Sequence, residues 1–271
     1  MRRKMACGFL LAVCAALANP ALGQERPGPS KGAGLLERAL RGEAAWVDLT
    51  HPLHEGTAFW PGGIPFKKTL VVDYPQGFRM FKFEMAENVG THVDAPAHFV
   101  PGALTIDRIP LGRLIGPAAV VDVTEKVKAD PDYRLGMHDL ERWELRYGTI
   151  PAGAIVVMRT GWGERAGDLE RYRNQDSRGV MHFPGFSRES AEFLVRERNV
   201  SGIGIDTLSL DYGPSKGFPV HKVMLGAGRF QIENLANLER LPAGGAVIFV
   251  LPLKVQDGTQ AEARVIALVP R

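Results

Sequence analysis

Eight short runs of β-branched, aliphatic and aromatic residues recur along the chain: Trp46–Leu49, Thr69–Tyr74, Met80–Glu87, Ala118–Val123, Ala154–Arg159, Ile203–Asp206, Val247–Leu251 and Val265–Val269. Several are continuously apolar, the pattern of strands buried on both faces. Few helical segments separate them. Leu35–Arg41 suits a short helix, Met137–Tyr147 is amphipathic, Arg188–Arg198 follows Ser187 as an N-cap, and His221–Leu225 opens a further turn. Regular strand–helix alternation is missing, so a Rossmann or TIM-barrel layout has no support. The expectation is one strand-rich α/β domain over residues 35–271 with long loops, without internal repeats, linkers or low-complexity segments.

The N-terminus reads differently. Arg2, Arg3 and Lys4 precede an apolar run from Met5 to Ala18, and Ala21-Leu22-Gly23 supplies a small-x-small cleavage pattern. This is the layout of a secretory signal peptide over residues 1–23, with an apolar stretch too short to span a bilayer. Arg2-Arg3 also raises a twin-arginine signal, although the flanking pattern is poor. Residues 24–34 are rich in Gly, Pro and Ser and read as a flexible leader. Of 33 basic residues three lie in the signal, leaving 30 against 30 acidic ones, and both cysteines, Cys7 and Cys14, go with it. The exported protein, periplasmic or secreted, is therefore neutral and thiol-free. Neutrality argues against nucleic acid or an anionic membrane as partner, and the lack of a thiol excludes a cysteine nucleophile. No Gly-x-Ser-x-Gly elbow supports a serine mechanism.

The chemistry concentrates in Asn88-Val89-Gly90-Thr91-His92-Val93-Asp94-Ala95-Pro96-Ala97-His98. If the strand of Met80–Glu87 runs on, Asn88, His92 and Asp94 share one face. Imidazole and carboxylate two residues apart are ligand types for a borderline or hard divalent cation. Gly90 permits close backbone approach, and Pro96 stiffens the turn carrying His98. A lone His-x-Asp is more simply a hydrogen-bonded strand end; the full string says more.

That string resembles the His-x-Gly-Thr-His-x-Asp-x-Pro-x-His signature of the cyclase family, which includes bacterial kynurenine formamidases and isatin hydrolases. The resemblance extends to Asp48-Leu49-Thr50-His51-Pro52-Leu53 with Trp60-Pro61-Gly62, and to Thr160-Gly161-Trp162, Phe183-Pro184-Gly185-Phe186 and Gly204-Ile205-Asp206-Thr207. His221-Lys222-Val223-Met224-Leu225-Gly226 leading to Glu233-Asn234-Leu235 completes it. It implies a strand-rich α/β domain of the swivelling β/β/α type, assembled as a homodimer or homotetramer. It also implies that His92 and Asp94 ligate metal, that His221 and Glu233 complete the metal environment, and that His98 is the catalytic acid/base. Asn88 departs from the signature, which has a histidine there. An amide oxygen is a harder, weaker ligand than imidazole, favouring one metal over two and admitting Mn2+ beside Zn2+.

Such a site implies hydrolysis of the C–N bond of a small aryl or cyclic amide by metal-activated water. Alternatives are a metal-dependent cyclase or dehydratase, and a non-enzymatic periplasmic binder of small aromatic molecules. Phe59 and Trp60 are candidates for a substrate pocket or for plain core packing. Asp206, Thr207 and Ser209 either support the metal ligands or form an Asx-type turn. His51 and His54 read as structural or pocket-lining, His182 as a residue of the pocket rim, and His138 has no assigned role. Glu164–Arg173 reads as solvated surface.

Overall fold

The computed structural model describes residues 34–271. The signal read over residues 1–23, and all but the last residue of the leader at 24–34, lie outside the described residues. The elements begin with α1 (Leu35–Leu40), β1 (Ala44–Asp48), β2 (Lys67–Val72), β3 (Met80–Glu84), β4 (His92–Asp94) and β5 (Ile115–Asp122). Next come α2 (Thr124–Ala129), β6 (Arg134–Leu135), α3 (Met137–Tyr147), β7 (Ile155–Arg159), α4 (Leu169–Arg173) and β8 (Gly185–Phe186). The chain ends with α5 (Arg188–Arg196), β9 (Gly202–Ile205), α6 (Pro219–Gly226), β10 (Phe230–Glu233), β11 (Val247–Pro252) and β12 (Gln260–Pro270).

Seven strands close into a barrel in the order β12-β11-β5-β7-β9-β10-β4, and β4 pairs back onto β12. Closure is possible because β12 is eleven residues long. Its first three residues, Gln260–Glu262, pair with β4, while Ile266–Pro270 hold β1 as an extra strand. β5, β7, β9 and β10 run parallel; β4 and β11 run antiparallel to their neighbours. The α/β, strand-rich class expected from the sequence is the class observed, and closure gives each of the seven barrel strands a partner on both sides.

Alternation along the strands divides the core in two. Val93, Ala118, Val120, Ile155, Val157, Ile232 and Val265 fill the barrel. Ala119, Val121, Val156, Met158, Ile203 and Ile205 point outward and pack with Leu140 and Trp143 of α3, Leu194 of α5 and Met224 of α6. Both faces are apolar, which is why these strands read as unbroken hydrophobic runs. Each buried aliphatic side chain contributes about 1.5–3 kcal/mol. Inside the barrel, Gly202 yields its space to Phe230: a Cβ there would meet the ring at 2.6 Å.

Helix ends follow local chemistry. The Ser187 hydroxyl accepts from Ser190 N at 3.1 Å and caps α5. Asp139 closes the start of α3 by accepting from Gly136 N at 3.0 Å and from Tyr133 Oη at 2.7 Å, and Lys126 donates to its other oxygen. No helix among the described residues is long and apolar enough to cross a membrane.

Two regions depart from expectation. The strand at Met80 ends at Glu84 rather than Glu87 and pairs only with β2, forming a two-stranded ribbon outside the barrel. The Glu164–Arg173 segment is not uniformly solvated: Tyr172 of α4 is fully buried, and the Arg165 guanidinium stacks 3.7 Å from the Trp162 ring.

Candidate active site on the outer wall of the barrel

On β4, Val93 points into the barrel, so His92 and Asp94 point out. The same alternation turns Gln231 and Glu233 outward on β10, and Gln260 and Glu262 outward on β12. Register then sets Asp94 between Gln231 and Gln260, and His92 between Glu233 and Glu262. Over this polar patch lie α6, which brings His221, and the single turn Pro96–His98, which brings His98.

Gly-Thr-His is built for this corner. Gly90 has φ +71°, and a Cβ there would press to 3.0 Å against both Leu53 and Thr57. Its carbonyl accepts from His92 Nδ1 at 2.8 Å and from Asn234 Nδ2 at 2.9 Å. The Thr91 hydroxyl donates to the Asn234 carbonyl at 2.6 Å and accepts from His51 N at 3.0 Å. With Nδ1–H on the Gly90 carbonyl, the His92 ring presents Nε2 to the cluster.

His92 Nε2 lies 3.4 Å from Asp94 Oδ1 and 3.2 Å from Glu233 Oε2. His221 Nε2 lies 3.4 Å from Asp94 Oδ2 and 3.3 Å from Glu233 Oε1. Gln260 Nε2 donates to Asp94 Oδ1 at 2.7 Å. Leu210 N donates to Glu233 Oε1 at 3.3 Å. His221 Nδ1 donates to Asp211 Oδ2 at 2.7 Å.

The electrostatics are those of a buried quadruple. Burial alone would lower the pKa of His92, but the carboxylates of Asp94 and Glu233 outweigh it and push it up to about 10. Burial likewise opposes the charge of His221, and Asp211, Asp94 and Glu233 raise its pKa well above the ordinary histidine range. Burial would raise the Asp94 carboxyl, yet His221 and His92 hold it far below the usual carboxylate range. His98 goes the other way, lowered chiefly by burial.

These residues fit a divalent cation. Ligand atoms of His92, Asp94 and Glu233 lie within 4.8 Å of one another, and all three residues are buried. His92 Nε2 and Asp94 Oδ2 are buried without a hydrogen-bond partner. Such orphans are rare in folded proteins, and a set of imidazole nitrogens and carboxylate oxygens is the donor set of zinc and manganese centres.

A cavity of about 270 Å³ opens onto the cluster, lined by Trp60, Asn88, His98, Phe99, Leu208, Ser209, Phe218, His221, Glu233 and Gln260. Its apolar wall is an aromatic group. The Phe218 ring centroid lies 6.0 Å from Trp60, 5.7 Å from Phe99 and 5.5 Å from His221. Phe218 is held in the left-handed region at φ +51°, just ahead of Pro219. A bulky residue there is strained, and such strain concentrates at functional sites.

The structure thus brings together His92, Asp94, His98, His221 and Glu233, with Trp60 and Asn88 on the same cavity. Asn88 does not share a strand with His92: the turn at Gly90 separates them, and Asn88 stands in the cavity wall. Phe59 is not in that wall; its carbonyl accepts from Arg173 Nη2 at 2.6 Å, and the guanidinium covers its ring at 4.4 Å. Asp206 serves a turn instead, accepting from Thr160 N at 3.0 Å, Thr160 Oγ1 at 2.7 Å and Gly163 N at 3.4 Å. The Thr207 hydroxyl donates to the Ser209 carbonyl at 2.8 Å, and only Ser209 of this group reaches the cavity. His182 pairs with Asp132 at 2.7 Å, away from the cavity rim. His51 and His54 line a separate cavity of about 220 Å³ beyond Gly90 and Asn234. His138 contacts Arg142 at 2.9 Å, away from the site.

Residues of the site not singled out in the sequence include Phe99, Phe218, Asp211 and Gln260. Gln260 carried a signal, since Gln260-Ala261-Glu262-Ala263 alternates just ahead of an apolar run. Asp211 carried none, because its partner His221 lies ten residues on, across an irregular loop and into α6.

The Putative cyclase family model matches residues 47–212. An isatin hydrolase of Roseibium aggregatum is 35% identical over 257 residues, covering 88% of this chain and 97% of that protein. A kynurenine formamidase of Paracidovorax citrulli is 28% identical over 225 residues, covering 82% of this chain and 96% of the relative. A solved isatin hydrolase with the product analogue thioisatinate bound superposes with a TM-score of 0.82 at 32% identity, covering 88% of this chain and 97% of that one.

Proposed function

The chain belongs to the cyclase family and is a hydrolase of C–N bonds other than peptide bonds; from that premise we propose that it opens a small aryl or cyclic amide at the cluster of His92, Asp94, His221 and Glu233. One observation carries this reading: two buried imidazoles and two buried carboxylates converge beside an aromatic-walled cavity, with His92 Nε2 and Asp94 Oδ2 lacking a hydrogen-bond partner.

His92, Asp94, His221 and Glu233 would hold the divalent cation, Mn2+ or Zn2+, and Asn88 stands in the cavity wall with an amide oxygen to offer. When bound, such an ion would polarise an amide carbonyl and lower the pKa of water to about 7. The chain's own residues do the rest. Trp60, Phe99 and Phe218 receive a flat ring and exclude water from it. His98, kept neutral by burial, takes a proton from the attacking water and returns it to the leaving nitrogen. With no cysteine in residues 34–271, no thiol competes for the role of nucleophile.

Within this reading the isatin-hydrolase-like version, opening a cyclic amide, is supported by the higher identity to that relative and by Asn88 in place of a histidine. The N-terminal segment supports export to the periplasm or beyond. The ribbon of β2 and β3 supports a homodimer: Leu70 and Phe83 lie on one face of it and are 45% and 59% exposed. An isolated two-stranded ribbon is marginal in water, and a second copy supplies what it lacks.

Elemental analysis of purified protein, joined to a screen of cyclic amides and formanilides, tests the reading. A bound divalent metal and turnover abolished by chelation are expected. No metal and no turnover on adding manganese or zinc would overturn it.

A further inference from the structure

Asp211 lies on the loop after β9 and is 2% exposed. Both of its oxygens are engaged by the beginning of α6. Oδ1 accepts from Val220 N at 3.0 Å and from Ser215 Oγ at 3.4 Å. Oδ2 accepts from His221 N at 3.2 Å and from His221 Nδ1 at 2.7 Å. Among the described residues no Lys or Arg pairs with it. A buried carboxylate without hydrogen bonds costs several kcal/mol, so this full set of donors is what makes the position tenable.

Part of this arrangement is ordinary capping. Phe218, at the N-cap position of α6, offers no side-chain acceptor, and Pro219 has no N–H to satisfy. Asp211 accepts the next two backbone N–H groups from outside the helix, as an N-cap side chain would. The bond to His221 Nδ1 is not capping, because it satisfies no backbone group. Its effect is on the ring. With Nδ1–H committed to Asp211, only Nε2 is left to face Asp94 Oδ2 and Glu233 Oε1, at 3.4 and 3.3 Å. The ring cannot flip without breaking the 2.7 Å bond to a charged acceptor. His92 is held by a backbone carbonyl in the same way, so the two halves of the cluster differ in how their imidazoles are backed.

We propose that Asp211 is the positioning residue for His221, fixing its tautomer and rotation so that Nε2 is presented to a divalent cation. This rests on the metal-site reading above and adds to it a residue that touches neither substrate nor cation. Outer partners of ligand histidines typically set metal affinity by about 10–100-fold.

The test is a competition titration of metal-free protein with Mn2+ and Zn2+ against a chelating dye. Asp211→Asn should weaken binding by about 10–100-fold, while Asp206→Asn, a buried carboxylate serving only the Thr160–Gly163 turn, leaves it unchanged. In a His221→Ala background, adding Asp211→Asn should cost no further affinity. The Nδ1–H resonance of His221, shifted downfield in wild-type metal-free protein, should be lost in Asp211→Asn and kept in Asp206→Asn. Should Asp211→Asn fail to fold, Asp211→Glu keeps the charge but displaces the oxygens, and it too should weaken binding. Wild-type affinity in the Asp211 variant, or a further loss in the His221→Ala background, overturns the proposal. A wild-type protein that binds neither ion overturns the metal-site reading instead.

Discussion

Asp94 and Glu233, diagonal neighbours across the β4–β10 pair, divide their oxygens in the same way: each turns one toward His92 and the other toward His221. The four side chains come from three separate stretches of chain. Strand alternation places three of them and a helix laid over the barrel wall supplies the fourth. Loss of either carboxylate leaves two buried imidazoles short of an anion.

Glu233→Gln should therefore weaken divalent-metal binding by more than the roughly 10–100-fold typical of losing an outer partner. Competition titration checks this, and unchanged affinity would remove Glu233 from the ligand set.

His98→Ala should keep its metal and lose turnover by roughly 100–10,000-fold. Burial lowers the pKa of His98, so the ring is neutral and able to accept a proton at pH 7. As pH falls through that lowered value, below the ordinary 6.5, the base is protonated and kcat/KM should decline. The acidic limb should vanish from the residual rate of the alanine variant. Full activity in that variant would remove the assigned acid/base.

Asn88→His restores the imidazole of the family signature at the cavity wall and should tighten zinc more than manganese, because imidazole is the softer ligand. Metal content and affinity indistinguishable from wild type would place Asn88 outside the coordination sphere.

Away from the site, Asp139 ties α2 to the start of α3 through Lys126, Tyr133 and Gly136 N. Burial opposes its charge, but Lys126, Tyr133 and the Gly136 amide hold its carboxyl below the usual range. A depressed carboxylate stabilises the fold above its unfolded pKa, near 3.9, and the contribution disappears as pH falls through the folded value. Asp139→Asn should cost about 1.5–3 kcal/mol at pH 7, with the two proteins converging in strong acid. Thermal unfolding at several pH values checks it, and a constant difference down to strong acid would contradict it.

Leu70→Asp with Phe83→Asp should leave the barrel folded and yield a monomer in sedimentation, and the wild type should sediment as a dimer or larger. A wild-type monomer would remove the ribbon from any role in assembly.

The sequence made some of this legible and hid the rest for physical reasons. The doubly buried strands were readable because a closed barrel wrapped by helices makes both faces apolar. His92 and Asp94 were readable because two residues on one strand share a face whatever surrounds them. Extending that argument to Asn88 failed because β3 has already ended at Glu84, and Gly90, with its positive φ, turns the chain before β4 begins. Barrel closure through β12 depends on pairing between residues 92–94 and 260–262, which no local pattern announces. Phe59 and Trp60 are adjacent and of one chemical type, yet Arg173 claims Phe59 and the cavity claims Trp60. Asp206 and Asp211 stand five residues apart on the same loop, and only the fold decides which one reaches a histidine.

Together these residues should add water across an amide C–N bond with a divalent ion. Turnover of a cyclic aryl amide in ¹⁸O-labelled water, with and without chelator, tests it most directly. One solvent oxygen should appear in the product carboxylate, and none should form after the metal is stripped. Turnover that leaves the product unlabelled, or that survives complete removal of the metal, would contradict it.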